Sequence, residues 1–225
     1  MVGWIASSLR GDIAFAHSAI GQSMANPTQR SFQQLRWVVR YLKGTMRLAA
    51  FAPTRQGGVS PNWRFFTDSD QGADQSSQNK GRSRSGCIAT CNGFPVIYKS
   101  KTTSVAMAHR SIKGGHADVS SAACETYAAA NATMEFLRLS YVTEEIGRPM
   151  PIPFDLEMDN AAAEVFAKNT AANTRLRHID QRQHWVITLR DSNIVTPKHI
   201  DTKSNVADIF TKPLTGDSFR NLRSK

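Results

Sequence analysis

Trp63-Arg64-Phe65-Phe66-Thr67-Asp68 is rich in aromatic residues and ends on an acid, the pattern of a short strand that carries a carboxylate to its end. Just upstream, Gln56-Gly57-Gly58-Val59-Ser60-Pro61-Asn62 has the composition of a linker, so a new unit begins near residue 62. Downstream, Ser85 to Thr90 and Phe94 to Ser100 read as a hairpin that turns at Cys91-Asn92-Gly93. Ser120-Ser121 can cap a long helix that ends at Gly147 before Pro149 and places Glu125 in its first turn. Its apolar stripe is expected along Ala123, Tyr127, Ala130, Met134, Leu137 and Tyr141. Pro153 to Met158 alternates Phe154, Leu156 and Met158 with Asp155 and Glu157, a fourth strand that delivers Asp159. Asn160 to Lys168 and His178 to Arg190 read as helices, Ile194 to Ile200 as a last strand, and Ser204 to Thr211 as a closing helix halted by Pro213. The order β-β-β-α-β-α-α-β-α predicts an α/β domain.

The residues before the linker read as helical. Asp12 to Met24 is one helix, and Asn26-Pro27-Thr28 opens another that runs to Lys43-Gly44. In the second, Phe32, Leu35, Val39 and Leu42 recur at helical spacing, and Trp37 and Trp63 are expected in the core. The boundaries are therefore a helical segment over 1–55, an α/β domain over 62–214 and a tail over 215–225.

The formal net charge of +10 over 225 residues favours a polyanionic partner. Asp12 is the only acid before Ser60, and none occurs between Lys80 and Gly115. Arg82, Arg84, Lys99 and Lys101 on the basic hairpin are the candidate nucleic-acid contacts, and Lys99 and Lys101 share strand parity. Cys87, Cys91 and Cys124 show no metal spacing and fit a reduced intracellular protein. No apolar run reaches the length of a membrane span, so no membrane partner is expected.

Phosphodiester hydrolysis needs a nucleophilic water, neutralised charge at phosphorus and help for the leaving oxygen, all of which two divalent ions about 3.5–4 Å apart supply. Hard cations take oxygen ligands, so such a site is built from carboxylates on separate elements. Asp68, Glu125, Asp159 and Asp208 are placed for this. Any one of them has an ordinary explanation as a cap or a favourable charge near a helix start. Spacing alone does not make them converge.

The words around these acids resemble the ribonuclease H region of copia-type long-terminal-repeat retrotransposons. Phe66-Thr67-Asp68-Ser69-Asp70 resembles its first aspartate motif, and Ser120-Ser121-Ala122-Ala123-Cys124-Glu125 its glutamate motif. Met158-Asp159-Asn160 with Ala167-Lys168-Asn169 resembles the third. Arg177-His178-Ile179-Asp180 and Ala207-Asp208-Ile209-Phe210-Thr211-Lys212-Pro213-Leu214 resemble two more. Upstream, Asp12-Ile13-Ala14-Phe15-Ala16, Asn26-Pro27-Thr28 and Arg40-Tyr41-Leu42-Lys43-Gly44-Thr45 are similar to the segment that joins reverse transcriptase to ribonuclease H. The chain departs from the pattern at Gln71 and Thr126, and the stretch from Val105 to Asp118 is longer than usual.

The resemblance implies a ribonuclease H-like fold, a mixed five-stranded sheet flanked by helices and preceded by a small helical segment. It implies a nuclease that cuts the RNA strand of RNA/DNA hybrids, with Asp68, Glu125, Asp159 and Asp208 holding two Mg²⁺ ions, or Mn²⁺ in their place. His178 is a possible auxiliary group that could shuttle protons. The implied partners are the hybrid and the polymerase domain of the same polyprotein, in cytoplasmic particles or in the nucleus. The alternative is a catalytically silent remnant that binds nucleic acid or packs against a polymerase.

Overall fold

In the computed structural model, which describes residues 2–52, 60–74, 82–103, 121–159 and 180–225, Trp63–Asp74 is strand β1. It pairs antiparallel with β2 (Arg82–Cys91), which pairs antiparallel with β3 (Phe94–Thr102). Asn92 and Gly93 join β2 to β3 with φ of 52° and 79°, the positive values that a two-residue hairpin turn requires. Strands β4 (Phe154–Met158) and β5 (Val195–His199) add in parallel on the other side of β1. The result is one five-stranded mixed sheet in the order β3-β2-β1-β4-β5.

Because successive side chains alternate, the sheet has two faces of different character. Helices α4 (Ser121–Glu145) and α5 (Asp180–Asp191) cover the first. Phe65, Phe136, Phe154, Leu156, Met158, Val186 and Val195 pack there. The second face is covered by a 3₁₀ turn (Val206–Phe210) and by α6 (Gly216–Arg223), and its core is Phe66, Ile88, Phe210 and Leu222. Helices α1 (Val2–Ser8), α2 (Ala14–Gly21) and α3 (Gln29–Gly44) form a small core of their own around Ala6, Ile13 and Val38. The unit rests on the second face, where the Gln22 amide meets the Thr102 hydroxyl of β3.

Several expectations are corrected. The closing helix is not α-helical: Thr202–Ser204 and Val206–Phe210 are short 3₁₀ turns, and every residue from Val206 to Phe210 is buried. Of the expected stripe on α4, Ala130 is buried and Leu137 packs against the core, but Met134 and Tyr141 point outward, and Cys124, Ala128, Ala129, Ala132 and Phe136 complete the buried face. In α3, Val38 is buried while Phe32, Trp37 and Val39 are exposed, so Trp37 is not a core residue. Trp63 packs against the first core as expected. The span read as a tail carries α6, with Leu222 buried. The expected helix from Asn160 to Lys168 lies outside the described residues.

Candidate active site

β1 carries Asp68 to the edge of the second face, where its carboxylate is buried opposite Gly86 of β2. The glycine is required by close approach: a Cβ there would lie 2.7 Å from Thr211 Cγ2 and 2.8 Å from Phe210 Cβ. The 3₁₀ turn therefore sits directly on β2, which brings its own Asp208 beside Asp68. The parallel neighbour β4 ends at Met158, and Asp159 follows it at the same end of the sheet. One oxygen from each of Asp68, Asp159 and Asp208 lies within 4.8 Å of the others.

The support for this group comes from residues to which the sequence reading gave no role. Asn205, fully buried, donates from Nδ2 to the Thr67 carbonyl at 3.1 Å and to Asp159 Oδ1 at 3.3 Å. Its Oδ1 accepts from Ala207 N at 3.1 Å, so one side chain ties β1, Asp159 and the 3₁₀ turn together. The Thr211 hydroxyl donates to Asp68 Oδ2. Lys212 Nζ lies 3.0 Å from Asp208 Oδ1 and 3.7 Å from Asp68 Oδ2. Apart from this ammonium, Asp208 Oδ1 is buried without a hydrogen-bond partner among the described residues.

Burial works against the charges of Asp68, Asp208, Glu125 and Lys212. It raises Asp68 above the usual carboxylate range, with Lys212 opposing. Asp208 is pushed up to about 7, first by burial and then by the negative charge of Asp68. Glu125, buried near the start of α4, is pushed up to about 8 by burial and then by Asp68. Burial pulls Lys212 the other way, but Asp68 and Asp208 outweigh it and hold the ammonium above its ordinary value. Buried acids costly to ionise at Asp68 and Asp208, with an oxygen of Asp159 at the same point, form a set of oxygen donors that fits a hard divalent cation. Glu125 feels the charge of Asp68 without joining the three-acid group.

The basic hairpin divides. Arg84 is buried, with its guanidinium 2.6 Å from Ser18 Oγ and stacked over the Phe15 ring of α2. It fastens the helical unit to the sheet, and its placement contradicts the expected surface contact with nucleic acid. The reason is parity: Arg84 shares its face with Gly86 and Ile88, the face that α2 and the 3₁₀ turn cover. Lys99 lies on the α4 side, paired with Glu135 at 2.5 Å and half exposed, and Lys101 is exposed. The Arg82 side chain and His178 lie outside the described residues.

No family model matches the chain. It is 26% identical over 210 residues to the retrovirus-related Pol polyprotein from transposon TNT 1-94 of Nicotiana tabacum, covering 93% of this chain and 14% of that protein. The polyprotein from transposon RE1 of Arabidopsis thaliana is 26% identical over 216 residues, covering 96% and 14%. The chain is a homologue of the retrovirus-related Pol polyproteins of plant transposons. It spans about a seventh of the length of these polyproteins. Among solved structures, LC11-RNase H1 isolated from compost aligns with a TM-score of 0.45 and 13% identity, over 66% of this chain and 91% of that one. The homologue has a ribonuclease H-like fold, visible in its strand order, its antiparallel β1-β2-β3 meander and its parallel β4 and β5. Among the described residues, no helix is long and apolar enough to cross a membrane.

Proposed function

We propose that this chain is a divalent-metal-dependent endonuclease that hydrolyses the RNA strand of RNA/DNA hybrids during reverse transcription of a retrotransposon. The observation that carries the reading is the convergence of Asp68, Asp159 and Asp208 from three separate elements to within 4.8 Å. These three acids, with Glu125 alongside, are the proposed ligands of two Mg²⁺ ions, for which Mn²⁺ can substitute. Such a metal pair, when bound, supplies an activated water and neutralises charge on the phosphoryl and leaving oxygens.

The chain's own residues set the geometry. Asn205 aims Asp159, Thr211 aims Asp68, and the contact of Gly86 with the turn keeps Asp208 within reach of both. Lys99 and Lys101 lie on one face of β3 and are the proposed phosphate contacts, giving affinity without sequence preference. Residues 1–55 are proposed as the connection to the polymerase domain of the same polyprotein and 62–214 as the nuclease, with the following helix α6 completing its second face. The proposed setting is the cytoplasmic particle or the nucleus.

The test is incubation of the purified chain with a labelled RNA/DNA hybrid and Mg²⁺, beside Asp159→Asn and a duplex DNA control. Cleavage of RNA in the hybrid alone, lost in Asp159→Asn, is the expected result. Binding of hybrid without cleavage by the folded chain would replace this reading with that of a silent remnant.

A further inference from the structure

We propose that Lys212 is a built-in occupant of the metal site, an ammonium that holds the acids together before metal arrives and must be displaced for a divalent cation to bind. The inference rests on the metal site proposed above. Its basis is position. Nζ contacts Asp208 Oδ1 at 3.0 Å and Asp68 Oδ2 at 3.7 Å, so it sits against the same two carboxylates that a cation between them would use. A Mg²⁺ ion bound to both would lie about 2.0–2.1 Å from each oxygen. That places it in the volume the ammonium now takes, against a like charge.

The side chain is built for such an exchange. Its backbone is anchored, since Lys212 N donates to the Asp208 carbonyl at 3.3 Å and Pro213 ends the turn. The side chain itself keeps about a third of its surface in solvent (32%), while those of Asp68 and Asp208 keep 3% and 6%. The ammonium can swing outward on its four-carbon stem; the carboxylates cannot follow. Lysine suits the task better than arginine, because a compact ammonium is not locked by a bidentate pair. Among the described residues, no other cation forms an ion pair with any of the three acids. Electrostatic support in the metal-free chain therefore falls to Lys212, and this support is what metal must outcompete.

Calorimetric titration of Mg²⁺ and Mn²⁺ into the metal-free 225-residue chain tests this, with wild type, Lys212→Met and Lys212→Arg at one pH. Lys212→Met is expected to bind metal about tenfold more tightly, because a like charge beside the cation is gone. It should also melt several degrees lower without metal and match wild type once metal saturates. Lys212→Arg should bind no more tightly than wild type. Nitrogen-15 spectra of lysine ammonium groups give a readout that needs no loss of charge: the Lys212 signal of wild type, absent from Lys212→Arg, should shift or broaden as Mg²⁺ is added. Equal or weaker metal binding by a folded Lys212→Met, or a Lys212 signal unmoved at saturating Mg²⁺, would overturn the inference and leave the metal site standing. Failure of all three chains to bind metal would remove the metal site and the inference together.

Discussion

The two faces of one sheet show two ways to use burial. On the first, Phe65, Phe136 and Phe154 meet with ring centroids 4.9 to 6.0 Å apart, and the side chains around them are apolar. On the second, Phe66, Ile88 and Phe210 form a core at one end, and the other end buries Asp68 and Asp208. Adjacent residues of β1 serve the two purposes, Phe65 facing one way and Phe66 the other. A carboxylate loses hydration when buried and regains it only through donors or cations, so the second face needs Asn205, Thr211 and Lys212 where the first needs only shape. The apolar face holds the strands in place; the polar end is held against its own repulsion.

That contrast predicts opposite responses to substitution. Asp68→Asn should lower hybrid cleavage by about a thousandfold or more, the loss of several kcal/mol of charge stabilisation. It should at the same time raise the melting temperature of the metal-free chain, because it replaces a carboxyl whose ionisation burial opposes. Phe136→Ala, fully buried on the other face, should cost about 3–5 kcal/mol and lower the melting temperature by about 10 °C. Thermal melts of both variants beside a cleavage assay decide the matter. If Asp68→Asn melts lower than Phe136→Ala, the two faces do not divide the labour in this way.

The same repulsion makes the metal-free fold sensitive to pH. Glu125 rises from 4.5 to about 8 and Asp208 from 3.8 to about 7, so the folded chain binds protons more tightly than the unfolded one. Their stabilising contribution is complete below the unfolded values and is lost as pH rises through the folded ones. Stability without metal should therefore fall between about pH 5 and pH 8, by several kcal/mol at about 1.4 kcal/mol per tenfold change in proton affinity. Saturating Mg²⁺ should flatten the profile by compensating the same charges. Denaturant melts across this range, with and without metal, would show it, and a metal-free profile flat from pH 5 to pH 8 would contradict the burial of these acids.

Asn205→Ala probes the joint between the two regimes. It removes two donated hydrogen bonds and one accepted one. Orphaning buried partners costs about 1–3 kcal/mol, and metal affinity should fall about 10- to 100-fold, as for other groups that orient ligands. Calorimetry on the folded variant separates the two losses. Unchanged metal affinity would mean that Asp159 is aimed by something other than Asn205.

What could be read in advance follows from how local each signal is. The strand over Trp63 to Asp68 and the Asn92-Gly93 turn are visible because alternation and positive φ leave marks within a few residues. Asp159 directly follows the end of β4 as its position after the Phe154 to Met158 alternation suggests, whereas β1 does not end at Asp68 as expected but runs on to Asp74, and Asp208 lies in the middle of its turn. The buried face of α4 was not, since Ala128, Ala129, Ala130 and Ala132 surround the helix with similar side chains and composition does not choose among them. Arg84 looked like a surface cation because the residue that receives it, Ser18, is 66 positions away. Asn205 and Thr211 meet partners 138 and 143 positions away, at Thr67 and Asp68, and nothing in their neighbours announces it.

The smallest expected effects separate the three cations of the hairpin that the structure describes. Each phosphate contact contributes about one unit to the slope of log affinity against log salt. Lys101→Ala should therefore lower that slope for hybrid binding by close to one, with stability nearly unchanged, because the side chain is exposed. Lys99→Ala should lower it by less, since Glu135 at 2.5 Å already neutralises part of its charge and must be exchanged for a phosphate. The exposed Lys99 pair itself is worth no more than about 1 kcal/mol. Arg84→Met should leave the slope alone and instead loosen α2, because this guanidinium is occupied by Ser18 and Phe15. Salt titrations of hybrid binding rank the three. A slope lowered most by Arg84→Met would mean that the helical unit lifts from the sheet when nucleic acid binds, and the second face would then be a substrate surface as well as a core.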